Sequence, residues 1–115
     1  MRVTGRLADT ILSGGENIAP SEVEAALAEH PEVLSCLVVD VPDDDLGQVP
    51  HALVQTSGDL DEDAVRAFVG ERVSAYKVPR TVEFVDRPLR DDAGKARRTA
   101  VRDDVIARRQ ARANR

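Results

Sequence analysis

The apolar positions of this 115-residue chain fall into three runs of strand length, with helical spacing between them. The first run, residues 33–41 (VLSCLVVDV), is almost continuously apolar, which is typical of a strand covered on both faces. The second and third runs cover residues 49–56 and 81–85. Pro50, near the start of the second run, predicts an edge strand or a bulge because proline lacks a backbone N–H. The first two runs are joined by the turn sequence PDDD at residues 42–45, which is too short for a crossover helix, so we expect antiparallel pairing.

Two helices are predicted from apolar residues that recur at helical spacing. The first helix carries an apolar stripe that begins at Val23, and Pro31 ends it. Ser21 and Glu24 have the S-x-x-E spacing of a capping box, which predicts that the helix starts at this point. The stripe of the second helix consists of Val65, Phe68, Val69 and Val73. We expect the second helix to run for about three to four turns and a weaker third helix to begin near Thr99.

The stretch from Gly5 to Glu24 combines a short apolar strand at residues 10–12, a Ser-Gly-Gly loop and the capped helix. Gly14 and Gly15 permit positive φ and allow a ligand to approach bare backbone. An ordinary strand-to-helix connection is the alternative, because glycine-rich turns are common. The whole pattern predicts an α+β fold: a small mixed sheet of about three core strands flanked by helices, plus an N-terminal β-hairpin.

Composition indicates a small domain without disulfides. The chain has one cysteine, Cys36, which lies in the first apolar run, so we predict a core side chain and exclude a disulfide or a zinc site within this chain. A nucleophilic role would need a nearby histidine, and no motif links His30 or His51 to this cysteine. The longest apolar run is far shorter than the ~18 residues of a membrane span, and no signal peptide is recognised. A cytoplasmic protein is therefore expected.

The net charge of −5 conceals two regions of opposite sign. Residues 1–94 contain 8 basic and 19 acidic side chains, whereas residues 95–115 contain 8 basic and 2 acidic ones. Basic tails often contact nucleic acid or phosphate-bearing ligands. No aromatic platform accompanies the basic tail at about residues 103–115, so we interpret its last ten residues as the solvated end of a helix and expect no nucleic-acid partner.

Gly94-Lys95 is the strongest chemical feature besides the glycine loop. A lysine beside a loop glycine can bring its ammonium group against phosphate or carboxylate oxygens. The first glycine and the Ser/Thr of a Walker A loop are missing. No Ser-His-Asp arrangement or metal motif is present in the sequence, and we interpret the acidic residues 43–45 as a solvated turn rather than a calcium loop.

Short motifs along the chain occur in the order and at the separations of one known family. They are Gly5-Arg6, Asp9-Thr10-Ile11, Ser13-Gly14-Gly15-Glu16-Asn17-Ile18, Pro20-Ser21-Glu22-Val23-Glu24, His30-Pro31, Val41-Pro42-Asp43, Gly47, Tyr76-Lys77-Val78-Pro79-Arg80 and Gly94-Lys95-x-x-Arg98. Together they closely resemble the C-terminal domain of adenylate-forming (AMP-binding) enzymes, in the acyl-CoA and aryl-CoA synthetase branch. The resemblance covers roughly residues 3–102, and its most specific part is the wording SGGENI-x-P-x-EVE.

The resemblance implies a two-step reaction. A carboxylic acid and ATP, with Mg²⁺ expected through the N-terminal domain, form an acyl-adenylate and pyrophosphate, and the thiol of CoA then displaces AMP. In this family the C-terminal domain is a mobile lid that presents a different face in each step. By this resemblance Lys95 is the adenylation lysine, and the CoA-channel loop consists of Ser13, Gly14, Gly15, Glu16 and Asn17. The hinge and nucleotide-binding residues are Arg6, Ala8 and Asp9.

The chain departs from the family pattern at two of these motifs. Ala8 stands where the family commonly has Asp or Lys, which puts the polar interaction of the hinge in question, although the backbone can still serve as a pivot. Asp91 replaces a hydroxyl residue in the approach to Lys95. A carboxylate near the phosphates of ATP is electrostatically unfavourable, so we expect Asp91 to lower activity or to face away.

Residues 1–115 are expected to be one lid domain, with a hinge segment at residues 1–9. Its expected partner is its own N-terminal adenylate-binding domain, which these residues do not include, so the fragment alone is expected to be inactive. The alternative is a non-catalytic, free-standing binding module of the same fold. An in-frame adenylate-binding domain upstream of Met1 would favour the ligase, and a stop codon there would favour the module. The activated acid is not encoded here, because the acyl pocket belongs to the other domain.

Overall fold

The computed structural model of the chain describes residues 10–89 and 98–113. Within these ranges the strands are β1 (Ile11–Ser13), β2 (Glu16–Ile18), β3 (Val33–Asp43), β4 (Gly47–Thr56) and β5 (Thr81–Val85). The helices are α1 (Pro20–Ala28), α2 (Glu62–Gly70) and α3 (Arg98–Ala113), with a 3₁₀ turn at Ala75–Lys77. This arrangement of a small mixed sheet and flanking helices confirms the predicted α+β fold class.

β4 is the central strand of the sheet. It pairs antiparallel with β3 along nearly its whole length, ending at Asp43 opposite Gly47. On its other side it pairs parallel with β5 through residues 51–55, and antiparallel with β1 at a single position, Ser13 opposite Gly47. β1 and β2 form the predicted N-terminal hairpin. The expected antiparallel pairing of the first two apolar runs is therefore confirmed.

Pro50 marks neither an edge strand nor a bulge, so that prediction was wrong: β4 is central, and its register with β3 is continuous through Pro50 opposite Asp40. The carbonyl oxygen of Pro50 accepts a hydrogen bond from the backbone N–H of Arg80 at 2.9 Å, on the β5 side of β4. The N–H and C=O of one strand residue point to the same side, so the nitrogen of Pro50 also faces that side. It lies between the positions where β1 and β5 pair with β4, at Gly47 and from His51 onward. The central strand thus accommodates Pro50 at a position where the missing N–H would have had no partner strand to donate to.

Two predicted boundaries also differ from the structure. β3 continues through Pro42 to Asp43, because its pairing with β4 extends as far as Gly47. α2 contains nine residues and is shorter than predicted. The side chain of Asp61 caps its first turn by accepting from the Ala64 N–H at 2.8 Å. Val73 lies beyond the end of α2 but still packs against the core, which explains why it extended the apparent helical stripe.

The sheet separates two apolar clusters, one that includes side chains of α1 and α2 and another that includes side chains of α3. Successive side chains of a strand point to opposite faces. Accordingly, Cys36 and Val38 of β3 belong to the first cluster, and Leu37 and Val39 to the second. All four are at most 4% exposed. The burial of both faces of β3 confirms the interpretation of its continuous apolar run, and Cys36 is the core side chain that was expected.

Ser21 and Glu24 do not form the predicted capping box. α1 begins at Pro20, whose missing N–H reduces the need for a cap, and no side chain caps the helix. Glu24 is instead 5% exposed, and its Oε2 accepts a hydrogen bond from the backbone N–H of Val38 at 2.8 Å. Among the described strands, β3 is the edge of the sheet. The carboxylate therefore provides an acceptor for a backbone donor on that edge.

Glu24→Ala is expected to destabilise the chain far more than Ser21→Ala. The glutamate substitution deletes a buried hydrogen bond to a carboxylate, which costs about 1.5–3 kcal/mol. Ser21 is exposed, and a substitution at such a position stays within about 0.5 kcal/mol. Chemical denaturation of the 115-residue chain measures both free energies of unfolding. Equal losses in the two variants would support the capping box after all.

Candidate functional site

The Ser-Gly-Gly loop is the tight turn of the β1–β2 hairpin. Gly14 and Gly15 have φ values of +57° and +87°. Two consecutive positive φ values characterise the type I′ hairpin turn, and side chains other than glycine rarely adopt them. Behind the turn, Ile11 pairs with Ile18 across the hairpin, and both are fully buried in the first apolar cluster. The strands on either side of the glycine turn are therefore anchored in the core.

The five residues predicted to form a CoA-channel loop lie together on this turn. Ser13 is 8% exposed, whereas residues 14–17 are exposed. Leu12, which precedes them on β1, is also exposed. The turn thus presents bare glycine backbone, one carboxylate and one amide to any partner that approaches this end of the sheet.

The connection between β3 and β4 supports the glycine turn. The backbone N–H of Gly14 donates to the carbonyl oxygen of Leu46 at 2.9 Å. A Cβ atom at Gly14 would lie 2.8 Å from Leu46 Cδ2, whereas a Cβ atom at Gly15 would meet nothing within 4 Å. Gly14 is therefore required both by its backbone conformation and by its contact with Leu46. Gly15 is required by conformation, and it leaves open space before the turn.

Asp43 shapes this supporting connection. Its Oδ2 accepts hydrogen bonds from the backbone N–H groups of Asp45 at 3.1 Å and Leu46 at 2.9 Å. An aspartate that bonds amides two and three residues later is a common way of fixing a turn. The interpretation of residues 43–45 as a solvated turn was incomplete: Asp44 and Asp45 are exposed, but Asp43 is half-buried and holds the backbone.

The other predicted site residues lie outside the described residues. They are Arg6, Ala8 and Asp9 of the hinge segment, the adenylation lysine Lys95, and Asp91 before it. Their roles stay predictions. α3 begins at Arg98, three positions after Lys95 in the sequence.

A second polar cluster, which no sequence motif indicated, joins β4, β5 and α3. His51 is 5% exposed; its Nδ1 lies 2.6 Å from Thr81 Oγ1, and its Nε2 lies 3.4 Å from Glu83 Oε1. Arg108 of α3 donates from Nη1 to Glu83 Oε2 at 2.9 Å and from Nη2 to Oε1 at 3.3 Å. The cluster borders a cavity of about 410 Å³, lined by His51, Glu62, Thr81, Val82, Glu83, Val105, Arg108 and Arg109. α3 is thus fastened to the sheet at Arg108, which corrects the interpretation of this end of the helix as simply solvated.

The cluster shifts the pKa values of three of its members, and the hydrogen bond to Glu83 raises the pKa of Arg108. Burial lowers the pKa of His51 from 6.5, and the nearby positive charges of Arg109 and Arg108 act in the same direction, while Glu83 opposes them. Burial alone would raise the pKa of Glu83, but its hydrogen bonds and charge interactions with Arg108 and His51 outweigh burial and lower the pKa from 4.5. At neutral pH the favoured state is therefore a neutral imidazole on His51 beside an ionised carboxylate on Glu83.

Acidification is expected to remove folding stability in two separate pH windows. Because the folded pKa of His51 lies below its unfolded value, the unfolded state gains protons first, and stability falls as the pH drops through 6.5. The lowered pKa of Glu83 contributes stability that is present above pH 4.5 and is lost as the pH falls through its folded pKa. In denaturation experiments across the acidic range, His51→Gln should flatten the first window and Glu83→Gln the second. An unchanged profile in His51→Gln would contradict this assignment.

The described residues contain no metal centre and no membrane span. Across residues 10–89 and 98–113, no three or more histidine, cysteine, aspartate or glutamate side chains are grouped so that they could hold a metal ion. None of the helices in that part of the chain is long and apolar enough to cross a membrane.

The family of the chain follows from its sequence. A sequence model of the AMP-binding enzyme C-terminal domain matches residues 22–95, which is more than half of the chain. The chain therefore belongs to the AMP-binding enzyme C-terminal domain family, and the resemblance found in its motifs is confirmed. The match includes the supporting connection at Asp43–Leu46 and extends to Lys95.

The curated relatives that the chain matches include CoA ligases, and the similar solved structures also include an amide bond synthetase of Marinactinospora thermotolerans, with a TM-score of 0.76 and 37% identity over 83% of this chain and 20% of that one. The 2-succinylbenzoate–CoA ligase of Bacillus licheniformis is 45% identical over 96 residues, which are 84% of this chain and 20% of that protein. A fatty acyl CoA synthetase of Mycobacterium tuberculosis has a similar structure, with a TM-score of 0.82 and 33% identity over 89% of this chain and 20% of that one. A double mutant of o-succinylbenzoate CoA synthetase from Bacillus subtilis, solved with a product analogue, has a TM-score of 0.76 and 36% identity, covering 83% of this chain and 20% of that one. The chain spans about a fifth of the length of these relatives.

Proposed function

We propose that this chain is the mobile C-terminal domain of an ATP-dependent acyl-CoA ligase that acts on a fatty or aryl carboxylic acid. The observation that carries the proposal is the glycine turn of the β1–β2 hairpin: it is exposed, held by Leu46, and belongs to a chain that is 45% identical to a 2-succinylbenzoate–CoA ligase and similar in structure to a fatty acyl CoA synthetase. The two positive φ values are those of any type I′ hairpin turn, so the support for a ligand passage comes from the exposure of the turn and the open space before Gly15.

In the thioester-forming step the glycine turn lines the passage for the pantetheine arm of CoA. The sulfur of the CoA thiol attacks the carbonyl carbon of the acyl-adenylate, the bond to the phosphate oxygen breaks, and AMP leaves. A narrow pantetheine arm can lie against residues 14–15 because no Cβ projects from either of them. Glu16 and Asn17 are exposed on the same hairpin and border the passage.

In the adenylate-forming step Lys95 is the residue of this domain that contacts the reacting groups. A carboxylate oxygen of the acid attacks the α-phosphorus of ATP, and pyrophosphate leaves. The ammonium group of Lys95 stabilises the negative charge that accumulates on the carboxylate and phosphate oxygens in the transition state. Arg6, with Ala8 and Asp9, forms the hinge and contacts the nucleotide. Mg²⁺ enters with ATP through the adenylate-binding domain; residues 10–89 and 98–113 of this chain contain no group of three or more side chains that could hold a metal ion.

The two steps require the lid to turn on a larger adenylate-binding domain, which is the partner of this chain. Presenting a different face in each step assembles each set of catalytic groups only when that set is needed. The relatives differ in the acid that their names give, 2-succinylbenzoate in one and a fatty acid in another. Since both have a C-terminal domain like this one, the acid is selected in the large domain. We place the enzyme in the cytoplasm and expect no activity from the 115 residues alone.

A chimeric enzyme tests the proposal. The C-terminal fifth of the Bacillus licheniformis 2-succinylbenzoate–CoA ligase is replaced by this chain, and formation of the CoA thioester from 2-succinylbenzoate, ATP and CoA is measured. We expect thioester formation well above that of the large domain alone, with the unmodified ligase as the positive control. A folded chimera that is no more active than the large domain alone would favour the alternative of a free-standing binding module.

A further inference from the structure

Three side chains connect the glycine-turn hairpin to helix α3. The backbone N–H of Leu12 on β1 donates to Oε1 of Gln48 at 3.1 Å. The Nε2 of the same Gln48 donates to Oδ2 of Asp40 on β3 at 2.9 Å. Arg102 of α3 donates from Nε to that same Oδ2 at 2.8 Å. We call the three side chains of Asp40, Gln48 and Arg102 the junction.

The amide of Gln48 makes the junction directional. An amide side chain has one acceptor end and one donor end. Asp40 is a carboxylate that accepts only, so it binds the donor end of Gln48 and leaves the acceptor end for the Leu12 N–H. Arg102 in turn holds the carboxylate through a charge-assisted hydrogen bond, the stronger class of such bonds. The side chain of Asp40 is 21% exposed and that of Arg102 is 36% exposed, so water only partly competes for these bonds.

The hairpin has few other connections to the sheet near its turn. Within the part of the chain that the structure describes, β1 pairs with β4 only at Ser13 opposite Gly47. The Gly14–Leu46 backbone bond lies on one side of that pair. The Leu12–Gln48 bond lies on the other side and is made by a side chain. The geometry of the Leu12–Gln48 bond therefore depends on the residue that holds Gln48, which is Asp40. Because Arg102 of α3 binds Asp40, the geometry also depends on α3.

We infer that Asp40 is a positioning residue whose carboxylate, held by Arg102, orients Gln48 and thereby sets the glycine turn relative to α3. This inference deepens the proposed function, on which it rests, because the junction joins the hairpin of the thioester-forming step to the helix that follows Lys95. Arg102 influences the turn without touching it. Loss of the junction leaves the hairpin in the core through Ile11 and Ile18 but loosens its exposed end.

The first test measures the physical link without using any enzymatic activity. Hydrogen exchange at the Leu12 amide is followed by NMR in the 115-residue chain, for Arg102→Ala and for a matched control, Asp103→Ala. Asp103 is 66% exposed, and its Oδ1 lies 3.3 Å from the outer Nη1 of Arg102, away from the Nε that binds Asp40. We expect Arg102→Ala to speed Leu12 exchange about fivefold or more, the factor for one hydrogen bond of ordinary net strength, and Asp103→Ala to leave it unchanged. Unchanged Leu12 exchange in Arg102→Ala would overturn the inference.

The second test uses the active chimera and three junction variants. Gln48→Glu keeps an acceptor for Leu12 but places a second carboxylate against Asp40, and Asp40→Asn keeps an acceptor but loses the charge. We expect Asp40→Ala and Gln48→Glu to raise the KM for CoA severalfold with little change in the KM for ATP, and Asp40→Asn to lie between them and the unmodified chimera. Combining Gln48→Glu with Arg102→Ala should raise the KM for CoA little further, because either change alone already breaks the junction.

The outcomes separate this inference from the proposed function. An inactive chimera with Leu12 exchange that responds to Arg102→Ala would reject the proposed function and keep the junction. An active chimera in which the junction variants retain the CoA KM of the unmodified chimera would reject Asp40 as a positioning residue. Equal increases in the KM values for CoA and ATP would also reject it, because general destabilisation affects both.

Discussion

Lys95→Ala is expected to reduce acyl-adenylate formation in the chimera by about 10²–10³-fold, the usual loss when one charge-stabilising group is removed from a transition state. Thioester formation from supplied acyl-adenylate should change little, since in the proposed mechanism that step uses the other face of the domain. Single-turnover measurements of AMP-anhydride formation and of thioester formation separate the two effects. Lys95→Gln, which removes the charge but keeps much of the length, should behave in the same way.

The chain provides its own control, because Lys77 is its only other lysine. The Nζ of Lys77 donates to both carboxylate oxygens of Glu22, at 2.8 and 2.9 Å, so its charge is used on the surface of this domain. We expect Lys77→Ala to cost no more than a surface ion pair, about 0–1 kcal/mol of stability, and to leave both steps active. Equal loss of both steps in Lys95→Ala, or a comparable loss in Lys77→Ala, would count against the role assigned to Lys95.

Gly14→Ala is expected to impair thioester formation about tenfold or more while sparing adenylate formation. The left-handed φ of +57° costs a residue with a Cβ roughly 1–2 kcal/mol, and each 1.4 kcal/mol transferred to the barrier is about tenfold in rate. The new Cβ would also press on Leu46 Cδ2 at 2.8 Å. The rate of thioester formation from supplied acyl-adenylate measures the effect.

Leu46→Ala and Gly15→Ala distinguish the two costs of a new Cβ, namely the strained backbone conformation and the contact with Leu46. Leu46→Ala removes the atom that the new Cβ meets, so it should partly restore Gly14→Ala. It should not restore Gly15→Ala, because a Cβ at Gly15 meets nothing within 4 Å among the described residues and would instead obstruct the proposed CoA passage. If adenylate formation fell as much as thioester formation in both glycine variants, the turn would have no special part in the second step.

The strands and the hairpin were predictable because their signals are local. The nearly continuous apolar run of β3 indicates cover on both faces, and the structure places its alternate residues in two clusters. A paired glycine after a short apolar strand indicates a tight turn, which the positive φ values of Gly14 and Gly15 confirm.

The errors arose where distant residues decide the outcome. The spacing of Ser21 and Glu24 suggests a cap, but the Glu24 carboxylate binds Val38, fourteen positions away. Pro50 suggests an edge strand, and it is tolerated in the centre because its nitrogen faces the gap between β1 and β5. Neither tertiary arrangement is visible in a window of neighbouring residues.

The candidate site was predictable only in part. The glycine turn was found from its sequence, but the contact that explains Gly14, with Leu46, spans 32 positions and required the structure. The pairing of His51 with Glu83, and of Asp40 with Arg102, likewise joins residues that no local motif connects. Lys95 and the hinge residues lie outside the described residues and stay predictions from the family motifs.

The central claim is that one small domain serves two successive reactions with two different faces. Measuring both half-reactions for Lys95→Ala and Gly14→Ala in the same chimera tests it most directly. We expect reciprocal defects: Lys95→Ala loses adenylate formation and keeps thioester formation, and Gly14→Ala does the reverse. Loss of the same half-reaction in both variants would contradict it.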